Sequence, residues 1–514
     1  MEEKRFKISK LNSVLYLILL TFAAFSAIFS GLIASWYRNN FGNLKIQNLI
    51  FTLSHPLNGA NYEFLFSTKQ YIAGALTATL GVCLISSFLD SFIKKRNAPV
   101  TLKFGPLYET TDALAIYRTC ALAAALYALG FMVLTTWKEF GVSEYFAALR
   151  ETTSVYEEEY AEPTPDAVTA GGATKNLICI YMESMETTYA SKEVGGAQEE
   201  YNYIPGLTRL ADENISFSDK DDGLLGGFHS VTGTTWTMGA LFATTAGLPF
   251  AFPGGRNKMN RYASFASGTV ALGNLLADKG YQQEFLCGSD GDFAGRKTYF
   301  QEHGGYEVFD LFTAREKHYI PEDYSVWWGF EDSVLYRIAK DEALRLAANQ
   351  EPFNLTLLTV DTHQVGGYVC DLCGDSYPEP LANVIACADR QVCDFVRWCQ
   401  EQDFYQDTVI VILGDHPRMD TILVGGVSYY DRTVYNCFIN AEHTEGASLR
   451  NREFTAMDMF PTILSAMGFE IENDRLGLGV NLFSKQETLC ERMSFAALDK
   501  ECSKYSEYYV RRFS

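Results

Sequence analysis

Apolar positions fall into two regimes along the chain, long unbroken runs in the first third and short runs between polar clusters thereafter. Residues 11–36, 71–92 and 113–136 are almost entirely apolar, with Asp90 and Arg118 the charges inside them, and each is long enough for a membrane-spanning helix. The first run exceeds a secretory apolar core and no small-residue cleavage site follows it, so an anchor is expected rather than a cleaved signal. Beyond residue 175 the pattern changes. Asn176–Met182, Phe353–Val360 and Thr408–Leu413 are β-rich runs without polar alternation, which reads as strands buried on both faces. Gln283–Cys287 is a further strand and Ile215–Ser218 a short one. Helices are expected over 204–213, from Thr234 or Thr235 to the stop at Gly247-Leu248-Pro249, over 271–279, through Val392, Phe395, Val396 and Cys399, and over 457–467. Strands alternating with helices imply one α/β domain from about residue 176 to the end, with a central, mostly parallel sheet flanked by helices.

Charge divides the chain at the same place. Lys4, Arg5, Lys7 and Lys10 precede the first run, and Lys94, Lys95, Arg96 and Lys103 lie between the second and third, so both segments are expected in the cytoplasm. Three crossings then place everything after Trp137 outside the cytoplasmic membrane. Up to Arg150 there are 14 basic and 8 acidic residues, leaving 28 against 55 and a formal charge of −27 in the remainder. A nucleic-acid partner is excluded on that balance. The organisation expected is a membrane domain over 1–137, a juxtamembrane helix and acidic, proline-containing linker over 138–175, and an external domain over 176–514. The outer loop 38–70 offers no assignable chemistry.

Ten of the twelve cysteines lie beyond the membrane segment, in a compartment where disulfides persist. Cys370, Cys373, Cys387, Cys393 and Cys399 cluster, and Cys490 and Cys502 form a second close pair. Cys370 and Cys373 resemble half a zinc knuckle, but no second knuckle follows, so at least one bridge is expected, including Cys387. Cys179, inside a core strand, reads as a small buried apolar residue.

Chemistry collects at the carboxyl ends of the strands, where ligands bind in open α/β sheets. Glu183 follows the first strand, Asp361 and His363 follow another, and Asp415 with His416 follows the run Thr408–Gly414. Thr234 or Thr235 sits at an expected helix start, where a hydroxyl is an N-cap by default but also faces any anion drawn to the helix end. Two carboxylates, an imidazole and a hydroxyl make a shell for one divalent cation, which favours the alkoxide of an otherwise weak nucleophile. Phosphate or sulfate esters suit such a site, with Arg296 available to share the charge on the transferring group.

Asn176 to Ser184, Gly233-Thr234, Arg296, the Thr-Val-Asp-Thr-His pattern ending at His363, and Gly414-Asp415-His416 together resemble the sulfatase-like branch of the alkaline phosphatase superfamily. Within it they resemble the lipoteichoic acid synthase and phosphoglycerol transferase I group. The resemblance implies an alkaline phosphatase/sulfatase-like catalytic domain with Glu183, Asp415 and His416 as metal ligands. It makes Thr234 both ligand and nucleophile, with Thr235 its rival, and places Arg296 and His363 at the phosphate and the leaving group. It implies one metal ion, manganese first and magnesium or zinc as alternatives, so Asp361 is not expected to complete a second site. It implies phosphatidylglycerol as donor and a glycan or polyglycerol-phosphate acceptor. A phosphoethanolamine transferase shares every one of these motifs. A sulfatase needs a Cys or Ser nucleophile in a specific context that is lacking here, and a degenerate binding homologue would not keep the four ligands.

Overall fold

The computed structural model describes residues 4–5, 13–41, 62–96, 98–104, 107–148, 150–221, 223–251, 264–441 and 447–513. The chain forms two compact units, residues 1–46 with 62–144, and 47–61 with 145–514. Most of the loop 38–70, including His55 to Asn61, lies outside the described residues, as do Lys7 and Lys10.

Three helices, α1 (Ser13–Phe41), α2 (Tyr62–Lys95) and α3 (Ala113–Glu139), make the first unit. Each is long and apolar enough to cross a membrane, over Ser13–Trp36, Lys69–Lys95 and Ala113–Glu139. The two charges inside the apolar runs meet: Arg118 donates to both Asp90 oxygens at 2.6 and 2.9 Å and to Ser13 Oγ at 2.7 Å. Pairing is how such a segment keeps ionisable groups out of hydrocarbon. Between α2 and α3, Pro99–Phe104 and Leu107–Asp112 pair as an antiparallel hairpin.

The second unit is built on six strands: β1 (Asn176–Met182), β2 (Gln282–Cys287), β3 (Glu307–Phe309), β4 (Phe353–Leu358), β5 (Thr408–Gly414) and β6 (Asn436–Ile439). Their order across the sheet is β6-β5-β1-β4-β2-β3, parallel throughout except for β6. Alternation within the strands feeds two separate cores. Leu177, Cys179, Tyr181, Val409, Val411 and Leu413 pack on one side, with α5 (Thr237–Ala246) and α8 (Met459–Ala466). Ile178, Ile180, Met182, Ile410 and Ile412 pack on the other, with α4 (Pro205–Glu213), α6 (Asp332–Ala348) and α7 (Pro380–Gln400). Both faces being covered is why these strands read as continuous apolar runs.

Three local expectations are corrected. Ile215–Ser218 forms only a single bridge, Ile215 to Phe438, because the Asn436 side chain takes the Phe217 backbone groups, accepting from its N–H at 2.9 Å and donating to its carbonyl at 2.8 Å. Residues 288–297, which read from the sequence as a polar, glycine-rich loop carrying Arg296, end in a short helix that Arg296 opens, Arg296–Glu302. The acidic stretch expected as a linker is part of the second unit: Tyr156 is fully buried with its ring edge-on to Tyr509 at 4.8 Å, and Val168–Ala170 pairs with Phe469–Ile471. Its acidity belongs to the solvent side, where Glu157 and Glu158 are exposed and Glu159 pairs with Arg475 and Arg492.

Candidate metal and phosphoester site

Register brings the carboxylates together. Met182 pairs with Gly414 across β1 and β5, so the residues that follow, Glu183 and Asp415, leave the sheet side by side. Gly414 is required there, since a Cβ would stand 1.9 Å from the Met185 carbonyl oxygen. Ser184 takes a left-handed φ of 51°, a costly conformation for a residue with a side chain. That turn aims its amide at Asp415 Oδ1 (2.7 Å) and its hydroxyl at Glu183 Oε1 (2.7 Å). His416 N–H also donates to Asp415 Oδ1 at 2.8 Å. Glu183, Asp415 and His416 are all buried, and each offers a ligand atom within 4.8 Å of the others. His416 Nε2 lies 3.6 Å from Glu183 Oε1 and 3.4 Å from Asp415 Oδ2. Its Nδ1 meets the Pro417 carbonyl at 2.9 Å, which leaves Nε2 as the free lone pair.

Electrostatics mark these groups as an anion pair short of a cation. Burial, followed by the Glu183 charge, pushes Asp415 up to about 7. Burial alone would raise Glu183 too, but His363 and His416 hold it below its usual value. Burial works against His416 as well, yet Asp415 and Glu183 raise it. Asp415 Oδ2 is buried and has no hydrogen-bond partner. An orphaned carboxylate oxygen between a second carboxylate and an imidazole lone pair is a donor set that fits a divalent cation.

The hydroxyl that completes this set is Thr237. Helix α5 starts at Thr237 after the N-cap Trp236, three residues later than Thr234 and two later than Thr235. Thr237 Oγ1 lies 3.2 Å from Glu183 Oε2 and 3.4 Å from His416 Nε2. Thr234 is fully buried, and its hydroxyl donates to its own turn, Val231 O, at 3.0 Å. Thr234 and Thr235 both precede the helix. The structure therefore does not bring Thr234 to the carboxylates, and Thr237 stands in the place expected for it.

His363 is half-buried at the end of the β4 loop. Its pKa is lowered by burial, partly offset by the charge of Glu183. Its Nδ1 meets the Gln364 carbonyl at 2.7 Å, which directs the Nε2 lone pair outward. Arg296 turns its guanidinium back onto the residues before its helix, donating to Phe293 O (3.1 Å), Ser289 Oγ (3.0 Å) and Asp290 O (2.8 Å). An aromatic file links it to His363: Arg296 over Phe293 (5.4 Å), Phe293 against Trp328 (5.4 Å), Trp328 against His363 (4.5 Å). Trp328 Nε1 is buried without a hydrogen-bond partner, a donor available to a substrate oxygen. Nothing in the apolar pattern singled Trp328 out; the Trp327-Trp328 pair next to Gly329 was the available signal.

Sequence reasoning also missed the network beneath the site. Arg418, two residues after His416, is 1% exposed and forks onto Asp420 at 2.6 and 2.5 Å. It also donates to Thr362 O at 2.6 Å, tying the β5 loop to the β4 loop that carries His363. Glu186 accepts from Arg418 N and from Arg432, so each buried charge here is paired. The His-Pro-Arg sequence and the charge of Arg418 so close to His416 were the readable hints.

A centre of two carboxylates, an imidazole and a hydroxyl at the strand ends of a doubly covered parallel sheet defines a class of phosphate- and sulfate-ester sites. Residues 175–469 match the Sulfatase family model, and the chain belongs to that family. It is similar to phosphoglycerol transferase I of Xanthomonas axonopodis pv. citri (strain 306), with 31% identity over 252 residues, 48% of this chain and 34% of that protein. It is also similar to phosphoglycerol transferase I of Salmonella choleraesuis (strain SC-B67), with 26% identity over 375 residues, 70% of this chain and 46% of that protein. The chain thus spans between about a third and a half of the length of these relatives. Among solved structures it is similar to the lipoteichoic acid synthase LtaP from Listeria monocytogenes, at 17% identity and a TM-score of 0.49 over 64% of this chain and 80% of that one. A protein of the alkaline phosphatase superfamily from Vibrio parahaemolyticus gives 20% identity and a TM-score of 0.44 over 60% and 72%.

Proposed function

We propose that the chain is a membrane-anchored phosphotransferase that moves the phosphoglycerol group of phosphatidylglycerol onto a glycan or a glycerol-phosphate polymer. The observation that carries the reading is the Thr237 hydroxyl, set at a helix start against Glu183 and His416. Glu183, Asp415, His416 and Thr237 would hold one divalent cation, manganese by the family resemblance. When bound, the cation supplies charge that favours the threonine alkoxide and offsets the negative oxygens of the phosphodiester.

In the first half, Thr237 Oγ1 forms a bond to phosphorus as the bond from phosphorus to the diacylglycerol oxygen breaks. The net proton moves from Thr237 to the departing diacylglycerol, with His363 Nε2 as the relay. In the second half, an acceptor hydroxyl attacks the phosphoglycerol-threonine and its proton returns to Thr237 by the same route. Trp328 Nε1, buried without a partner, would donate to a phosphoryl or glycerol oxygen, and Arg296 would steady the Phe293-Trp328 file. The distribution of basic residues supports a catalytic unit outside the cytoplasmic membrane, where an anchor would hold it at high effective concentration next to its lipid donor.

Fluorescent phosphatidylglycerol in detergent tests this reading. The full chain should release diacylglycerol in a metal-dependent manner and faster than from phosphatidylethanolamine. Release from phosphatidylethanolamine alone would make the enzyme a phosphoethanolamine transferase. Cleavage of a soluble sulfate ester with neither lipid touched would overturn phosphotransfer altogether.

A further inference from the structure

The segment that carries His363 runs on through Cys370 and Cys373 into α7, where Cys387 lies almost two turns from the helix start. The three sulfurs converge. Cys370 Sγ is 3.6 Å from Cys373 Sγ and 3.8 Å from Cys387 Sγ, and all three lie within 4.8 Å of one another. The expected bridge is therefore absent among the described residues: a disulfide needs a separation of about 2.05 Å, and all twelve cysteines are free thiols. Cys393, Cys399, Cys490 and Cys502 are each buried and unbridged.

Sulfur ligands of a tetrahedral zinc, at about 2.3 Å from the metal, stand about 3.8 Å apart. Packed thiols reach similar separations, so the surroundings decide. Gln391 Nε2 donates to Cys387 Sγ at 3.3 Å, a hydrogen bond of the kind that supports a metal-bound thiolate. Arg390 donates to the carbonyls of Leu372 (2.9 Å) and Cys373 (3.3 Å), bringing positive charge to the trio. Asp361 is only 2% exposed, and neither of its carboxylate oxygens has a hydrogen-bond partner. The cysteine loop folds directly back onto it, with Tyr368 N–H donating to Asp361 O at 2.7 Å, and Asp361 lies within electrostatic reach of Cys370 and Cys387. The carboxylate of Asp361 belongs neither to the Glu183, Asp415 and His416 group nor to the three converging sulfurs.

We propose that Cys370, Cys373 and Cys387 bind a structural zinc ion as thiolates, the three sulfurs taking three of its four positions and a water the fourth. The ion staples the loop 364–379 to α7 and so fixes the segment that leaves His363, where Tyr368 faces Trp327. Binding needs no redox partner: each thiol gives up its proton to solvent as its sulfur takes a position on the metal.

Elemental analysis of the full chain purified in detergent tests the site apart from the catalytic one. The double variant Glu183→Gln/Asp415→Asn should keep one equivalent of zinc, and Cys373→Ser/Cys387→Ser should lose it. Because the cysteine variant is open to misfolding, the unaltered chain loaded with cobalt gives a second measurement. Sulfur-to-cobalt charge-transfer absorption and three sulfur neighbours by X-ray absorption are expected. A non-reducing peptide map joining any two of the three cysteines, or three free thiols with no zinc in the unaltered chain, would overturn the proposal.

Discussion

At the scale of single residues, the threonine run from Thr232 to Thr237 decides the chemistry. A hydroxyl at a helix start is a cap or a nucleophile depending on where the helix begins, and that is set by contacts distant in sequence. Gly233 takes a φ of 96° and Gly239 packs so tightly that a Cβ would stand 2.5 Å from Gly233 O, which turns the chain before Trp236 and starts α5 at Thr237. Thr237→Ala is expected to lower diacylglycerol release about a thousandfold or more, as removal of a nucleophile does. Thr234→Ala loses one buried hydrogen bond to Val231 O, about 1 kcal/mol of stability, and should keep most activity. Lipid turnover by both variants, beside their unfolding midpoints, checks this; an inactive but stably folded Thr234→Ala would return the role to Thr234. Glu183, Asp415 and His416 were legible because each directly follows a buried strand. The hydroxyl that lies against Glu183 and His416 was not, since spacing to the Gly247-Leu248-Pro249 stop does not fix which of three threonines opens the helix.

Elements were legible where one period ran long enough. The apolar runs of β1, β4 and β5 and the spacing of Val392, Phe395, Val396 and Cys399 in α7 reflect burial on both faces and on one stripe, respectively. The short strands β3 and β6 escaped because three or four residues carry no period, and their pairing is imposed by the sheet they join. Composition misled over 151–172, where glutamates on the solvent side hid four core residues, Val155, Tyr156, Ala167 and Val168. Tyr156 is 0% exposed and should cost about 3–5 kcal/mol when truncated to alanine, the range for a large buried aromatic. Glu157→Ala, on the exposed side of the same helix turn, should stay within about 0.5 kcal/mol. Chemical denaturation of the two variants distinguishes a core element from a linker, because a linker would tolerate both equally.

For the whole molecule, the open question is which side of the membrane each unit faces, and charge is the argument that bears on it. The hairpin region between α2 and α3 is flanked by Lys94, Lys95, Arg96 and Lys103, whereas the residues beyond Arg150 carry a formal charge of −27. Basic residues close to spanning helices are retained on the cytoplasmic side; acidic residues weigh little in that choice, so the lysines and arginines decide. The proposed transfer from a lipid donor in the outer leaflet would make the same demand of the candidate site. Arg96 and Glu200 are both exposed and far apart in sequence, which makes them suitable probes. In intact cells a membrane-impermeant thiol reagent should label Glu200→Cys above the background of the native cysteines and leave Arg96→Cys unlabelled until the membrane is opened. The reverse pattern would place the catalytic unit in the cytoplasm, away from an outer-leaflet donor, and would remove the transferase reading together with the topology.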